Sequence, residues 1–187
     1  MYTFFVTFSV RTRAPEVDVV FALTATTGNP EDAFQRMKDA VKIVTDTYGI
    51  HRLHYSLIVY GSRPSEEFDF KTSFPTRSSI KDFIENSRRV SSRPGTKRAL
   101  DEALQIIKDS SLRPSVKKVV VLLTDGVSDL DPSAVEGAVQ SMEKNGIPVL
   151  IFALVNNPKT EFEVSKTVNP ADLARKVMEK VFDGKCV

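Results

Sequence analysis

The segment Lys117-Lys-Val-Val-Val-Leu-Leu-Thr-Asp-Gly126 is the strongest indicator of the fold. Five consecutive apolar residues, Val119 to Leu123, are followed at once by a polar turn. A short apolar run of this kind is typical of a strand that is buried on both faces of a parallel sheet. The segment Val17-Asp-Val-Val-Phe-Ala-Leu23 has the same character. The sequence therefore predicts two central strands and places Asp125 at the carboxyl end of one of them.

Strands and helices alternate along the rest of the chain. A helical spacing of apolar residues starts at Glu31 and stops at Gly49, which is placed as a C-cap glycine. The other predicted strands are His54–Tyr60, Glu67–Lys71 at an edge and Pro148–Val155, and the other predicted helices begin at Ser79, Thr96, Pro132 and Pro170. Alternation of this kind predicts an α/β fold: a doubly wound, mostly parallel central sheet with helices on both faces.

The two ends of the chain differ from this pattern. Between Tyr2 and Val10, apolar residues alternate with mostly polar ones, which predicts a half-buried strand. We therefore divide the chain into an N-terminal extension with an extra strand (1–16), one domain (17–183) and a C-terminal tail (184–187). The only cysteine, Cys186, lies in that tail, so a disulfide within the chain is impossible. It is either a free thiol or half of a disulfide with a partner outside this chain.

Composition excludes some classes of partner. The chain has 187 residues, a net charge of +2 and an ordinary share of charged residues, 27%. A nearly neutral chain has no global electrostatic attraction to nucleic acid, and no apolar run reaches the length of a membrane span. We therefore expect neither nucleic-acid binding nor membrane insertion, and any electrostatic recognition must be local.

Two loops follow the two central strands, and both are polar. They are Thr24-Ala-Thr-Thr-Gly-Asn-Pro30, with three hydroxyls, and Thr124-Asp-Gly-Val-Ser-Asp-Leu-Asp131, with Asp125 at the strand end. Ligands of doubly wound sheets bind beyond the carboxyl ends of the strands, where the strand order reverses. Hydroxyl and carboxylate oxygens suit Mg²⁺ or Mn²⁺. The same residues also form ordinary turns and helix caps, and taken alone they favour that interpretation.

Taken in order, the motifs resemble the von Willebrand factor type A (vWA) domain family over about residues 17 to 183. The matching segments are Val20–Leu23 with its small polar loop, Tyr55–Gly61, Glu67–Phe70, Gly95–Leu104, Val119–Gly126 with Thr-Asp-Gly, and Gly146–Ala153. The resemblance implies a non-enzymatic adhesion domain that binds partners at the carboxyl ends of its strands. In that family a divalent ion is held by an Asp-x-Ser-x-Ser loop, a middle-loop Thr and the Asp of Thr-Asp-Gly.

This chain departs from that ligand pattern. The first loop offers Thr24, Thr26 and Gly28 in place of Asp, Ser and Ser, and only Asp125 is intact. The middle threonine aligns with Pro94 or, loosely, with Thr96. A divalent ion needs anionic ligands to offset its dehydration. We therefore expect either no cofactor or weakly bound Mg²⁺ or Mn²⁺ at a vestigial site of Thr24, Thr26 and Asp125.

A basic stretch leads into the middle loop. Five cations and no acidic residue lie between Asn86 and Arg98: Arg88, Arg89, Arg93, Lys97 and Arg98. Such runs are often solvated helix flanks, but here the cations could replace the charge of a metal. Arginine pairs well with carboxylate or sulfate. The predicted ligand-binding rim therefore comprises Thr24, Thr26, Thr27, Thr96, Asp125, Arg93, Lys97 and Arg98.

The function expected from this resemblance is adhesion within a larger extracellular protein, through a rim with weak or no dependence on a divalent metal. The partner would be a matrix protein such as collagen, another acidic protein or a sulfated glycan. An alternative is a flavodoxin-like redox protein that binds FMN through Thr24–Asn29, a loop that resembles a flavodoxin phosphate loop. A catalytic α/β enzyme is the weakest interpretation, because the sequence has neither a nucleophile elbow nor a P-loop.

Overall fold

The computed structural model describes residues 16–26, 31–72, 74–89, 95–109, 113, 115–125, 132–156, 163–165 and 168–182. The strands are β1 (Val17–Thr24), β2 (Leu53–Tyr60), β3 (Pro64–Phe68), β4 (Lys117–Thr124), β5 (Val149–Val155) and β6 (Glu163–Ser165). The helices are α1 (Glu31–Arg52), α2 (Arg77–Asn86), α3 (Thr96–Asp109), α4 (Pro132–Lys144) and α5 (Pro170–Val181). The predicted N-terminal strand and the tail with Cys186 lie outside the described residues.

The strands form one sheet in the order β3-β2-β1-β4-β5-β6. All neighbouring pairs are parallel except β2 and β3, which are antiparallel. From β1 the chain continues through β2 and β3 on one side and through β4, β5 and β6 on the other, so the strand order reverses between β1 and β4. The predicted mostly parallel sheet is confirmed, and its switch point lies where the two apolar segments meet.

Helices cover both faces of the sheet, as the alternation predicted. On one face, α1, α2 and α5 bury their apolar stripes against residues such as Phe21 and Leu23. On the other face, α3 and α4 pack against residues such as Val20 and Leu122. Because β1 and β4 are buried on both faces, their side chains are apolar without interruption over most of their length, and polar chemistry is confined to the strand ends.

Local signals set several element boundaries as predicted. Helix α3 begins at Thr96 and ends at Asp109, and Asn169 caps α5 by accepting a hydrogen bond from the Ala171 amide at 2.8 Å. Gly49 has φ 69°, and it interrupts the regular helix near the end of α1. Gly146, past the end of α4, has φ 72°. Glycine adopts this left-handed backbone without steric cost, which explains both positions.

Other boundaries differ from the sequence prediction. The edge strand is Pro64–Phe68 and not Glu67–Lys71, because the Asp69 carboxylate accepts hydrogen bonds from two following amides and closes a turn there. Helix α2 begins two residues before Ser79, because the Thr76 hydroxyl accepts from the Ser79 amide at 3.2 Å and acts as the N-cap. The short strand β6 was not predicted.

Gly95 fixes where α3 starts relative to the end of β2. A methyl group at this position would lie 2.8 Å from the Gly61 carbonyl oxygen and 2.9 Å from that of Ser62. Both contacts are with backbone atoms, which cannot rotate away as a flexible side chain can. The loop after β2 and the first turn of α3 therefore touch through Gly95, and this contact holds Thr96 next to the strand ends.

We predict that Gly95→Ala destabilises the protein by about 1–3 kcal/mol, since backbone must shift to admit the methyl group. Gly137→Ala is the matched control. Gly137 is exposed within α4, and a methyl group added there would meet nothing within 4 Å apart from the backbone of its own helix and its chain neighbours, so alanine should stabilise by roughly 0.5–1 kcal/mol. Urea denaturation measures both changes, and an unaffected Gly95→Ala variant would contradict the tight contact.

Candidate functional site

The carboxyl ends of β1 and β4 place two predicted site residues side by side. The strands pair in register from Val17 with Lys117 to Leu23 with Leu123, so Thr24 and Asp125 follow at nearly the same level. Thr24, Thr26 and Asp125 are all buried, with exposed fractions of 0%, 2% and 3%. The register therefore brings Thr24 close to Asp125, and Thr26 is buried two residues beyond Thr24.

Three threonine hydroxyls lie next to the buried phenol of Tyr60, near Asp125. Tyr60, at the end of β2, is fully buried, and its phenol has the hydroxyls of Thr24, Thr96 and Thr124 as neighbours. Burial raises the pKa of Tyr60 to about 12, and the nearby charge of Asp125 adds to the rise, while the threonine hydroxyls oppose it. We call Thr24, Tyr60, Thr96 and Thr124 the hydroxyl floor of the rim.

Two hydroxyls of this floor are poorly satisfied. Neither the Thr24 Oγ1 atom nor the Tyr60 phenol oxygen has a hydrogen-bond partner at good geometry within the described part of the chain. A backbone bond from the Ala25 amide to the Tyr60 carbonyl, 2.9 Å long, holds the two strand ends together. The floor is therefore uncharged and rich in oxygen.

Two of the four residues of the hydroxyl floor were predicted from the sequence. Thr24 and Thr96 were predicted as rim residues, whereas Tyr60 and Thr124 were not. Tyr60 ends an apolar strand, and an aromatic residue in that place is normally assigned to the core. The available signal was its position: it precedes Gly61 at the carboxyl end of a strand adjacent to β1, the edge at which ligands of such sheets bind.

The basic stretch contributes to the rim one residue that was not predicted there, Arg89. The Arg89 Nη2 atom donates a hydrogen bond of 3.0 Å to the carbonyl oxygen of Thr26. Arg98 instead donates to the Ser62 carbonyl at 2.9 Å, and exposed Lys97 pairs with Asp101 one turn along α3. Arg93 and Thr27 lie outside the described residues. Among the described cations of this stretch, Arg89 thus contacts the first loop directly.

The described oxygen groups at the rim carry little negative charge for a divalent ion. The described residues contain no cluster of three or more His, Cys, Asp or Glu side chains that could hold a metal. Asp125 supplies one negative charge, and Thr24 and Thr26 add only neutral hydroxyls. These ligands do not fit tight binding of a dication, because a single carboxylate does not offset the loss of its hydration shell.

Similarity to curated proteins points to one family. Von Willebrand factor A domain-containing protein 2 of Xenopus laevis is 28% identical over 151 residues, which is 77% of this chain and 18% of that protein. Von Willebrand factor A domain-containing protein 1 of Mus musculus is 29% identical over 143 residues, or 74% of this chain and 34% of that protein. The chain therefore spans about a third or less of the length of these curated relatives.

Solved structures share the fold at lower sequence identity. One of them is proximal thread matrix protein 1 of the mussel byssus, solved with zinc in its MIDAS motif, the metal-ion-dependent adhesion site. It aligns with a TM-score of 0.69 and 20% identity, and the alignment covers 90% of this chain and 45% of that one. The manganese-loaded TRAP protein of Plasmodium vivax aligns with a TM-score of 0.72 and 11% identity, covering 90% and 74%. These likenesses establish the fold.

The family model of the von Willebrand factor type A domain matches residues 18–180. The matched range includes the Thr24–Asn29 loop, on which the flavodoxin-like alternative depended. The match also agrees with the mostly parallel sheet and with the polar residues at its switch point. The chain therefore belongs to the von Willebrand factor type A domain family, a family of interaction domains.

Proposed function

We propose that this chain is a non-enzymatic adhesion domain of a larger extracellular protein, and that it binds an acidic matrix protein through the rim with little or no need for a divalent metal. The observation that carries the proposal is the set of described groups at the switch point: Asp125 is the one carboxylate among them, and the hydroxyls of Thr24, Thr96 and Thr124 lie next to the nearby phenol of Tyr60. In place of the first aspartate of the family pattern the chain has Thr24, so one of the charges that hold a metal in the family is missing.

The extracellular part of the proposal has two supports. The domain family is one of adhesion and interaction modules, and the relatives are much longer proteins that contain such a domain. The byssus protein with the same fold is named as a thread matrix protein. A matrix protein such as collagen is therefore the first partner to test. Within the described residues, no helix has the length and apolar character that a bilayer crossing requires.

The charge of the rim favours an anionic partner. Lys97 and Arg98 are exposed on the first turn of α3, and Arg89 contacts the first loop. Arginine and lysine form charge-assisted hydrogen bonds with carboxylates. An acidic segment of a matrix protein supplies such carboxylates, and a sulfated glycan is the competing ligand that binding experiments can separate from it.

Metal independence predicts a thermal-shift result. Millimolar Mg²⁺ or Mn²⁺ should change the melting temperature by less than about 1 °C, and EDTA should not lower it. A family-type site at a hundred times its dissociation constant would add about 2.7 kcal/mol, and each kcal/mol is worth roughly 2–4 °C in a domain of this size. A saturable rise that EDTA reverses would contradict the proposal and make Thr24 a genuine ligand.

The buried hydroxyl of Thr24 gives a second test. If it binds no ion, Thr24→Val removes an unsatisfied polar group and should leave stability unchanged or raise it by about 1 kcal/mol. Thr45→Val is the control, because the Thr45 hydroxyl is equally buried and donates to the Val41 carbonyl at 3.0 Å. Its loss should cost about 1 kcal/mol. Equal destabilisation by both changes would indicate that Thr24 has a ligand.

Binding at the rim is tested with two lysines at opposite ends of one helix. Lys97 lies in the first turn of α3 and Lys108 in the last, and both are exposed. In EDTA, Lys97→Glu should weaken binding to immobilised collagen or to a polyglutamate peptide by about tenfold, through like-charge repulsion. Lys108→Glu should have little effect. Equal effects of the two variants would place the binding surface away from the rim.

A further inference from the structure

The structure assigns a metal-like role to Arg89: we propose that its guanidinium is the resident cation of the rim and recognises a carboxylate of the partner. This inference rests on the proposed function, since it names the residue that replaces the ion and the chemical group that the residue binds. It starts from one contact, the 3.0 Å hydrogen bond from Arg89 Nη2 to the Thr26 carbonyl oxygen. Thr26 occupies the second ligand position of the first loop.

Arg89 is positioned by a fixed segment. Ser87, two residues earlier, is buried and is the C-cap of α2, and its amide and hydroxyl donate to the Ile84 and Phe83 carbonyls at 3.3 and 3.1 Å. The Lys38 ammonium also donates to the Glu85 carbonyl at 2.9 Å, which ties the end of α2 to α1. The backbone that leads to Arg89 is therefore held before the side chain reaches the loop.

The balance of charge links Arg89 to the missing aspartate. In the family pattern, two carboxylates and a divalent ion give a locally neutral site. In this chain Thr24 removes one negative charge, and Asp125 keeps the other. A single guanidinium then restores neutrality where a dication would leave an excess positive charge. The change from Asp to Thr at position 24 and the presence of Arg89 thus form one balanced replacement.

The chemistry of arginine suits this role. The carbonyl that Arg89 contacts is neutral, so the contact orients the guanidinium without cancelling its charge. Guanidinium is always protonated, is weakly hydrated and matches the planar geometry of a carboxylate. A carboxylate side chain of the partner, which in the family would complete the coordination of the metal, would here pair with Arg89. The inferred ligand is therefore an acidic peptide segment.

A purely structural role is the competing interpretation. In that case Arg89 would only brace the loop that contains Thr26, and any residue that restored folding stability would also restore binding. Lysine separates the two roles, because it keeps the charge and can still donate to a carbonyl. Arg88, which is exposed and adjacent, gives a matched control for removing one positive charge from the same segment.

The first arm of the test uses Mn²⁺ alone and is independent of any partner. Thr24→Asp with Gly28→Ser restores the family ligands, and the melting temperature is followed against Mn²⁺ in that background with either Arg89→Gln or Arg88→Gln added. We expect Arg89→Gln to tighten Mn²⁺ binding by about tenfold or more, because it removes repulsion between a fixed cation and the ion. Arg88→Gln should tighten it by no more than about threefold, since solvent screens exposed charges.

The second arm measures binding of a labelled polyglutamate peptide to the otherwise unchanged chain in EDTA. Arg89→Gln should weaken it by about tenfold, Arg89→Lys by only about threefold, and Arg88→Gln by about threefold at most. Equal losses in Arg89→Gln and Arg89→Lys, with matching losses of folding stability, would overturn the recognition role. So would binding of heparin but not of the peptide.

The two failures are distinguishable. If Lys97→Glu weakens binding and Arg89→Gln does not, the rim remains the binding surface and the role of Arg89 is wrong. If neither change affects binding, the proposed function itself fails. If Arg89→Gln and Arg88→Gln have the same effect on Mn²⁺ binding in the restored background, Arg89 is not the resident cation.

Discussion

Parallel pairing of β1 with β4 is the constraint on which the site depends. Seven register pairs, from Val17 with Lys117 to Leu23 with Leu123, bring the two apolar strands to the same level at their carboxyl ends. Apolar side chains fill both faces of these two strands towards their carboxyl ends, so the polar side chains there appear together immediately after the sheet. Thr24 and Asp125 are neighbours for this reason, although they are about a hundred positions apart in the sequence.

The remaining features complete that edge. Strand β2 adds Tyr60, and the contact of Gly95 with the loop after β2 brings Thr96 next to it. Arg98 bonds to the Ser62 carbonyl of the same loop, and Arg89 bonds to the loop after β1. Helix starts and loops are thus held at the strand ends by contacts with backbone atoms. The result is a rim in which groups from several elements lie at the carboxyl edge of the sheet.

Much of this could be predicted from the sequence, and the limits have physical causes. The boundaries of α3 follow from a local apolar period and its first turn, and the two glycines with positive φ follow from backbone sterics. The Thr76 cap and the Asp69 turn were missed because several nearby residues can make the same hydrogen bond. The contact between Arg89 and Thr26 joins residues 63 positions apart, and no local pattern encodes it. Tyr60 was missed because an aromatic residue at the end of an apolar strand is normally assigned to the core.

The proposed function depends on a rim that binds its partner without a divalent ion. A crystal structure of the unmodified chain grown in millimolar MnCl₂, with anomalous diffraction measured at the manganese edge, tests this directly. We expect no anomalous peak among Thr24, Thr26 and Asp125. A manganese ion coordinated by those three side chains would contradict the proposal.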